Sequence, residues 1–209
     1  MIDSSEWLPL FKLAVKILSR EKIPNNQWSF GGGTALMLYY NHRRSKDIDI
    51  FLRDVQLLTR FTPRLNDYVA ERVDDYTEMS SFLKLRSGRQ EIDFIVAPLL
   101  TQKPTVRKMI GSRQVFVETP EEIVIKKIFY RAETFKTRDV IDLAVVIKDK
   151  ADGLLENITV YEGRIDVLRK RLENLKRVFD IELKALDVVD HRSAEDSLRI
   201  VRDFLEELK

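Results

Sequence analysis

The chain has 209 residues, 44% of them hydrophobic and 33% charged, and it contains no cysteine. That balance describes a folded chain with one sizeable core, and it excludes a disulfide framework or a thiolate metal site. The net charge of +2 implies no polyanion partner by itself, but residues 151–209 carry 11 Lys and Arg against 14 Asp and Glu, so an excess of five positive charges sits in residues 1–150. No apolar run approaches the roughly 18 residues a bilayer span needs. Residues 1–6 also lack the basic start and apolar core of a secretory leader. The expectation is a cytoplasmic chain with no membrane partner.

Leu8, Phe11, Val15 and Leu18 fall at helical spacing and predict a helix over residues 6–20, with Ser4 or Ser5 to cap it and Pro9 near its start. Ile23-Pro24-Asn25-Asn26 marks a turn, and Trp28-Ser29-Phe30 leads into a glycine pair, Gly32 and Gly33. Residues 34–40 suit a short apolar helix, and residues 47–52 a strand. Residues 55–73 read as a helix interrupted near Pro63. Residues 79–86 and 90–99 are extended around a Ser87-Gly88-Arg89 hairpin turn, with a short strand over 114–117. Thr119-Pro120-Glu121-Glu122 supplies a cap, a first-position proline and first-turn acids for a helix over 121–132, and a second follows over 138–149. Ile165, Leu168, Leu172, Leu175 and Phe179, then Leu198, Val201 and Leu205, continue the helical pattern to the end. Asp149 to Gly153 is the expected boundary between a main domain, residues 1–150, and a helical tail, residues 151–209.

Two aspartates alternate along the predicted strand at 47–52. Side chains in a strand alternate with period two, so Asp47 and Asp49 share a face, roughly 7 Å apart. Oxygen ligands at that spacing suit hard cations such as Mg²⁺. Asp is disfavoured in strands, and two flanked by Ile and Phe ask for a reason. Gly32 and Gly33 open the preceding helix, where backbone N–H groups and partial positive charge cradle phosphate; Thr34 adds a hydroxyl and an N–H. Arg43 and Ser45 keep the same parity ahead of the strand, so Arg43 either binds phosphate or pairs with Asp47. Asp93, embedded among Ile92, Phe94 and Ile95, is the candidate third carboxylate, with Glu91 as runner-up; such a group accepts the proton of an attacking hydroxyl or shares a metal. The competing reading of Asp93 is an acid paired to Lys84 or Arg86 across the hairpin. On one continuous helix, Lys127, Arg131, Arg138 and Asp142 return to within about 60° of one face. Lys126 is the rival for the lysine role. His42 and His191 belong to no metal or nucleophile motif.

Gly-Gly-Thr-Ala-Leu at 32–36, Arg43-x-Ser45-x-Asp47-Ile-Asp49-Ile-Phe51, and Pro120-Glu121-Glu122-Ile123…Lys126-Lys127…Arg131…Arg138-Asp139-x-x-Asp142-Leu143 occur in that order. Over residues 28–147 the chain resembles the AbiEii/AbiGii-type nucleotidyltransferase toxins, within the superfamily that shares the DNA polymerase β palm. The resemblance implies an α+β fold, a small mixed sheet flanked by helices and finished by a helical tail. It implies Mg²⁺-dependent transfer of NMP from an NTP to an acceptor hydroxyl, with Asp47, Asp49 and Asp93 on metal. Gly32, Gly33, Thr34, Arg43, Ser45, Lys127, Arg131, Arg138 and Asp142 would face the nucleotide. It further implies RNA as acceptor, in particular a tRNA 3′ end, a cognate antitoxin, and a role in toxin–antitoxin or phage-defence biology. The tail is short and acidic, which keeps a small-molecule acceptor open, as does a module that kept the palm without turnover.

Overall fold

The computed structural model describes residues 6–208. They form two compact units, one from residues 6–38, 45–99 and 105–118, the other from residues 39–44, 100–104 and 119–208. The boundary expected at Asp149 to Gly153 falls inside a helix of the second unit.

The first unit is built on one seven-stranded sheet. Its strands are β1 (Trp28–Gly31), β2 (Ile48–Leu52), β3 (Asp75–Glu78), β4 (Phe82–Ser87), β5 (Gln90–Val96), β6 (Thr105–Ile110) and β7 (Arg113–Glu118). Their order is β3-β4-β5-β2-β1-β7-β6. β2 pairs parallel with β5 and β1 parallel with β7; every other neighbour is antiparallel. This is the mixed sheet expected from the resemblance, with more strands than the sequence pattern shows. β1, β3 and β6 were not anticipated. The region 55–73 contains a 3-10 stretch (Val55–Arg60) and one helical turn, Asp67–Ala70, in place of an interrupted helix.

Alternation along β2 decides which face becomes core. Ile48, Ile50 and Leu52 are buried, while Asp49 and Phe51 on the other face are partly exposed. Helix α1 (Trp7–Arg20) buries Phe11, Val15 and Leu18 of the expected stripe, while Leu8 is only half-buried and Trp7 takes the inward place. Phe30 of β1 lies 4.8 Å from Phe11 and 6.3 Å from Trp7, centroid to centroid. Ser4 and Ser5, the expected caps of this helix, lie outside the described residues. α2 (Gly32–Tyr40) follows β1 directly.

The second unit is helical. Its long elements are α4 (Pro120–Arg131), α5 (Thr137–Leu155), α7 (Ile165–Leu175) and α10 (Ser197–Glu207); α3 is the single turn at Asp67–Ala70 in the first unit, and α6 (Ile158–Tyr161), α8 (Phe179–Lys184) and α9 (His191–Glu195) are short. Thr119 caps α4, accepting the Glu122 N–H at 3.4 Å with Pro120 at the first position, as its sequence requires. Glu122 is fully buried and accepts N–H bonds from Leu100 and Thr101, so the 100–104 loop is tied to the start of α4. α5 departs from helical geometry at Lys150. Leu168, Leu172 and Leu175 of α7 and Val201 and Leu205 of α10 are buried, as their spacing predicts.

Phe30 is fully buried in the aromatic cluster of the first unit. Phe30→Ala is expected to lower unfolding free energy by about 3–5 kcal/mol, the range for emptying a packed aromatic site. Urea denaturation measures it; a loss below about 1 kcal/mol would mean the cluster is not part of the core that holds the sheet.

Candidate active site

The register of the sheet lines up the chemistry of the first unit. Gly31 of β1 opposes Asp49 of β2, Asp49 opposes Asp93 of β5, and Asp93 opposes Lys84 of β4. Directly opposed residues point to the same side of a sheet, so this row stands on the face away from Ile48, Ile50 and Leu52. Asp47, two residues before Asp49, keeps the same parity; its Oδ1 accepts the Glu91 N–H at 3.1 Å, which ties the approach of β2 to the start of β5. Asp93 therefore lies on an interior strand, as its apolar neighbours suggested.

Gly32 adopts φ +69°, a conformation that favours glycine, and a Cβ there would overlap the Asp49 carboxylate. The glycine turn thus rests against the first strand carboxylate. Gly31, which the sequence reading passed over, is just as constrained: a Cβ would come within 2.6 Å of Phe51 and would overlap the Glu118 carboxylate. A third consecutive glycine was the available signal.

The Thr34 hydroxyl does not act as expected. Thr34 is fully buried, and its Oγ1 donates to the Asp47 carbonyl at 2.5 Å. A hydroxyl has one proton, so the 2.9 Å contact with Ser45 Oγ must be a bond from Ser45 to Thr34. Both hydroxyls are spent in a clasp that fixes the start of α2 against the approach to β2, and neither is left to donate to a phosphate.

Lys84 Nζ donates to Asp93 Oδ2 at 3.1 Å and makes a short bond to Glu91, which Arg86 also engages at 3.3 Å. The cross-hairpin pairing weighed for Asp93 is therefore real, and it occupies one oxygen. The other, Oδ1, is buried without a hydrogen-bond partner. Burial raises the Asp93 carboxyl above its ordinary range, with the negative charges of Glu91 and Asp47 adding to that and Lys84 opposing it. A buried carboxylate oxygen lacking a donor fits a cation, and an all-oxygen row suits a hard one. Among the described residues no three acidic or histidine side chains already converge on one point. Asp49 and Asp93, with Asp47 at the same parity, are the acids this face would offer to such a cation.

The second unit carries a buried ion network. Asp142 is fully buried and accepts from Arg43 through both oxygens, Nε to Oδ1 at 2.7 Å and NH2 to Oδ2 at 2.8 Å. His42 Nε2 lies 2.6 Å from Oδ1, and Lys127 makes a short bond to Oδ2. Lys127 also donates to Asp139 at 3.0 Å, and Arg131 to the same oxygen at 2.5 Å. Arg43 is therefore the bidentate partner of Asp142. α4 ends at Arg131 and α5 begins at Thr137, the two helices the sequence predicts, and it is their packing that brings Lys127 and Arg131 to Asp139 and Asp142. Arg138 is half-buried and joins no ion pair among the described residues. Lys126 goes elsewhere, to Glu122 at 3.2 Å. His42 was read as incidental, and nothing near it in sequence signals its place beside Asp142; His191 opens α9. Lys127 commits two of its three N–H donors to carboxylates, which fixes its position.

Burial works against ionising Asp142, but Arg43 and Lys127 outweigh it and hold the carboxyl well below its usual range; Lys127 and Arg131 lower the Asp139 carboxyl against the same opposing burial. Depressed folded values mean that both acids stabilise the fold above their unfolded pKa, near 4, and lose that contribution as pH falls through the lower folded values. Urea denaturation at stepped pH should show stability dropping steeply below about pH 4. Asp142→Asn should cost about 3–5 kcal/mol at pH 7, because it leaves buried cations uncompensated, and should flatten that acid limb. An unchanged acid limb would show that the network does not govern acid stability.

Comparison with known proteins agrees with this geometry. Among the described residues no helix is long and apolar enough to cross a membrane. No curated protein matches the chain in sequence. The crystal structure of JHP933 from Helicobacter pylori is similar at TM-score 0.56 and 18% identity, covering 98% of this chain and 94% of that one. A putative nucleotidyltransferase from H. pylori matches at TM-score 0.55 and 17% identity over 99% of both chains. ANT(2″)-Ia, solved in complex with adenylyl-2″-tobramycin, matches at TM-score 0.54 and 15% identity, covering 75% of this chain and 95% of that one. At these identities the likeness establishes the fold. The family model for the nucleotidyl transferase AbiEii toxin, Type IV TA system, matches residues 16–208, and the chain belongs to that family.

Proposed function

We propose that the chain transfers NMP from an NTP to a hydroxyl of RNA, with a tRNA 3′ end as the favoured acceptor. The observation that carries the reading is the row Gly31–Asp49–Asp93, with the Gly32 turn against Asp49. In this reading the α2 N-terminus, through the backbone of Gly32 and Gly33, binds the triphosphate. Asp47, Asp49 and Asp93 hold Mg²⁺, which when bound polarises the phosphate and lowers the pKa of the acceptor hydroxyl. The acceptor oxygen forms a bond to the α-phosphorus while the bond to the β-phosphate oxygen breaks; pyrophosphate leaves with that electron pair, and the acceptor proton passes to Asp93.

RNA is favoured over a small hydroxyl compound because the positive excess lies in residues 1–150 and because the family is one of toxins. The same family assignment, to the toxin of a Type IV toxin–antitoxin system, supports a cognate antitoxin; a role in phage defence and a cytoplasmic setting complete the proposal. ANT(2″)-Ia, whose structure holds an adenylylated tobramycin, keeps the small-molecule acceptor as the second reading.

Incubation with each α-labelled NTP, Mg²⁺ and total RNA tests this. Label should pass to RNA with the wild-type protein, and Asp49→Asn should reduce transfer at least about a hundredfold, the scale for losing a group that stabilises transition-state charge. Retained transfer by that variant would overturn the site. Transfer only to a small hydroxyl compound would establish the second reading, and NTP binding without transfer to any acceptor would identify a module without turnover.

A further inference from the structure

Lys84 is not part of the chemistry derived above, yet it is the cation nearest the third carboxylate. It stands directly opposite Asp93 across β4 and β5, and its ammonium is shared between Asp93 and Glu91. The two acids are not equivalent partners. Glu91 is engaged by Arg86 as well, and Arg86 reaches outward to Asp75. Asp93 has Lys84 on one oxygen and no hydrogen-bond donor on the other, buried one. Lys84 and Asp93 are each 23% exposed and Glu91 32%, so the pairing is partly shielded from water.

We propose that Lys84 is a built-in counter-cation: it competes with a divalent cation for Asp93 and stays on Glu91 when the site loads, so that it sets the metal concentration at which the enzyme becomes active. This rests on the reading of Asp93 as a metal-holding carboxylate. The arrangement makes withdrawal cheap, because Lys84 gives up one of two acceptors and keeps the other. It also gives Glu91, the runner-up for the third carboxylate, its own role as the anchor that holds Lys84 back. Lys84 is thus a positioning residue acting through Asp93, not a group that touches the reacting atoms.

The two ends of the Lys84–Glu91 pair should then move metal affinity in opposite directions, which a merely structural ion pair would not do. A cation beside a carboxylate changes its affinity for a proton by tenfold or more, so Lys84→Met should tighten Mn²⁺ binding by about tenfold in the absence of nucleotide. Glu91→Gln leaves Lys84 only Asp93 and should weaken it. Free Mn²⁺ measured by electron paramagnetic resonance reads both, with Lys84→Arg as the charge-conserving control and thermal midpoints to verify folding. Shifts of the same sign in the two variants, or unchanged affinity in Lys84→Met, would overturn the proposal while leaving the metal site intact. Absence of Mn²⁺ binding by the wild type and by Lys84→Met would overturn the metal reading and this inference with it.

Discussion

Because β2 and β5 run parallel with Ile48 opposite Ile92, Asp49 has no choice but to stand beside Asp93. Side chains alternate along a strand, so a one-residue slip of β2 would send Asp47 and Asp49 into the layer occupied by Ile48, Ile50 and Leu52 and bring those apolar groups out. Burying two unpaired carboxylates would cost far more than a typical domain has to spare. The hydrophobic face of the sheet therefore enforces the alignment of its polar face. Gly31 opposite Asp49 and Gly32 at positive φ follow from the same constraint, since no side chain fits at either point.

The helical unit solves a different problem. Its network of Arg43, Lys127, Arg131, Asp139 and Asp142 places charges out of water, and such networks add little stability over well-packed apolar residues. What they do supply is position. Asp142 fixes Arg43 through two parallel bonds and, with Asp139, holds Lys127, so these cations are ordered within the fold itself. The backbone helps: the Arg44 N–H bonds the Asp187 carbonyl at 2.7 Å and the Val189 N–H bonds the His42 carbonyl at 3.0 Å, clipping the 42–44 segment to 187–189.

Much of this was legible in the chain. Period-two acids at Asp47 and Asp49, the Thr119-Pro120 helix start and the leucine spacing in α7 are local signals, and local signals survive in a single sequence. The missed strands lack them. β1 is buried along its whole length and shows no alternation, while β3 and β6 are edge strands whose side chains, apart from the buried Ile110, are partly or fully exposed. Residues 55–73 carry enough apolar residues to imitate a helix, but the described structure turns there instead. His42 and Arg43 meet Asp142 about a hundred residues away, and no spacing rule reaches that far. Thr34 was assigned to phosphate because hydroxyls after glycines often go there; the neighbouring Asp47 carbonyl claimed its one proton first.

The account's central claim is that one face of this sheet is a cation and triphosphate site. Crystals of the protein soaked with Mn²⁺ and a non-hydrolysable NTP analogue test it most directly through anomalous diffraction. The account requires a manganese peak bounded by Asp49 and Asp93, with phosphate density over the Gly32 turn. A peak elsewhere on the molecule, or a nucleotide bound away from the Gly31–Asp49–Asp93 row, would contradict it.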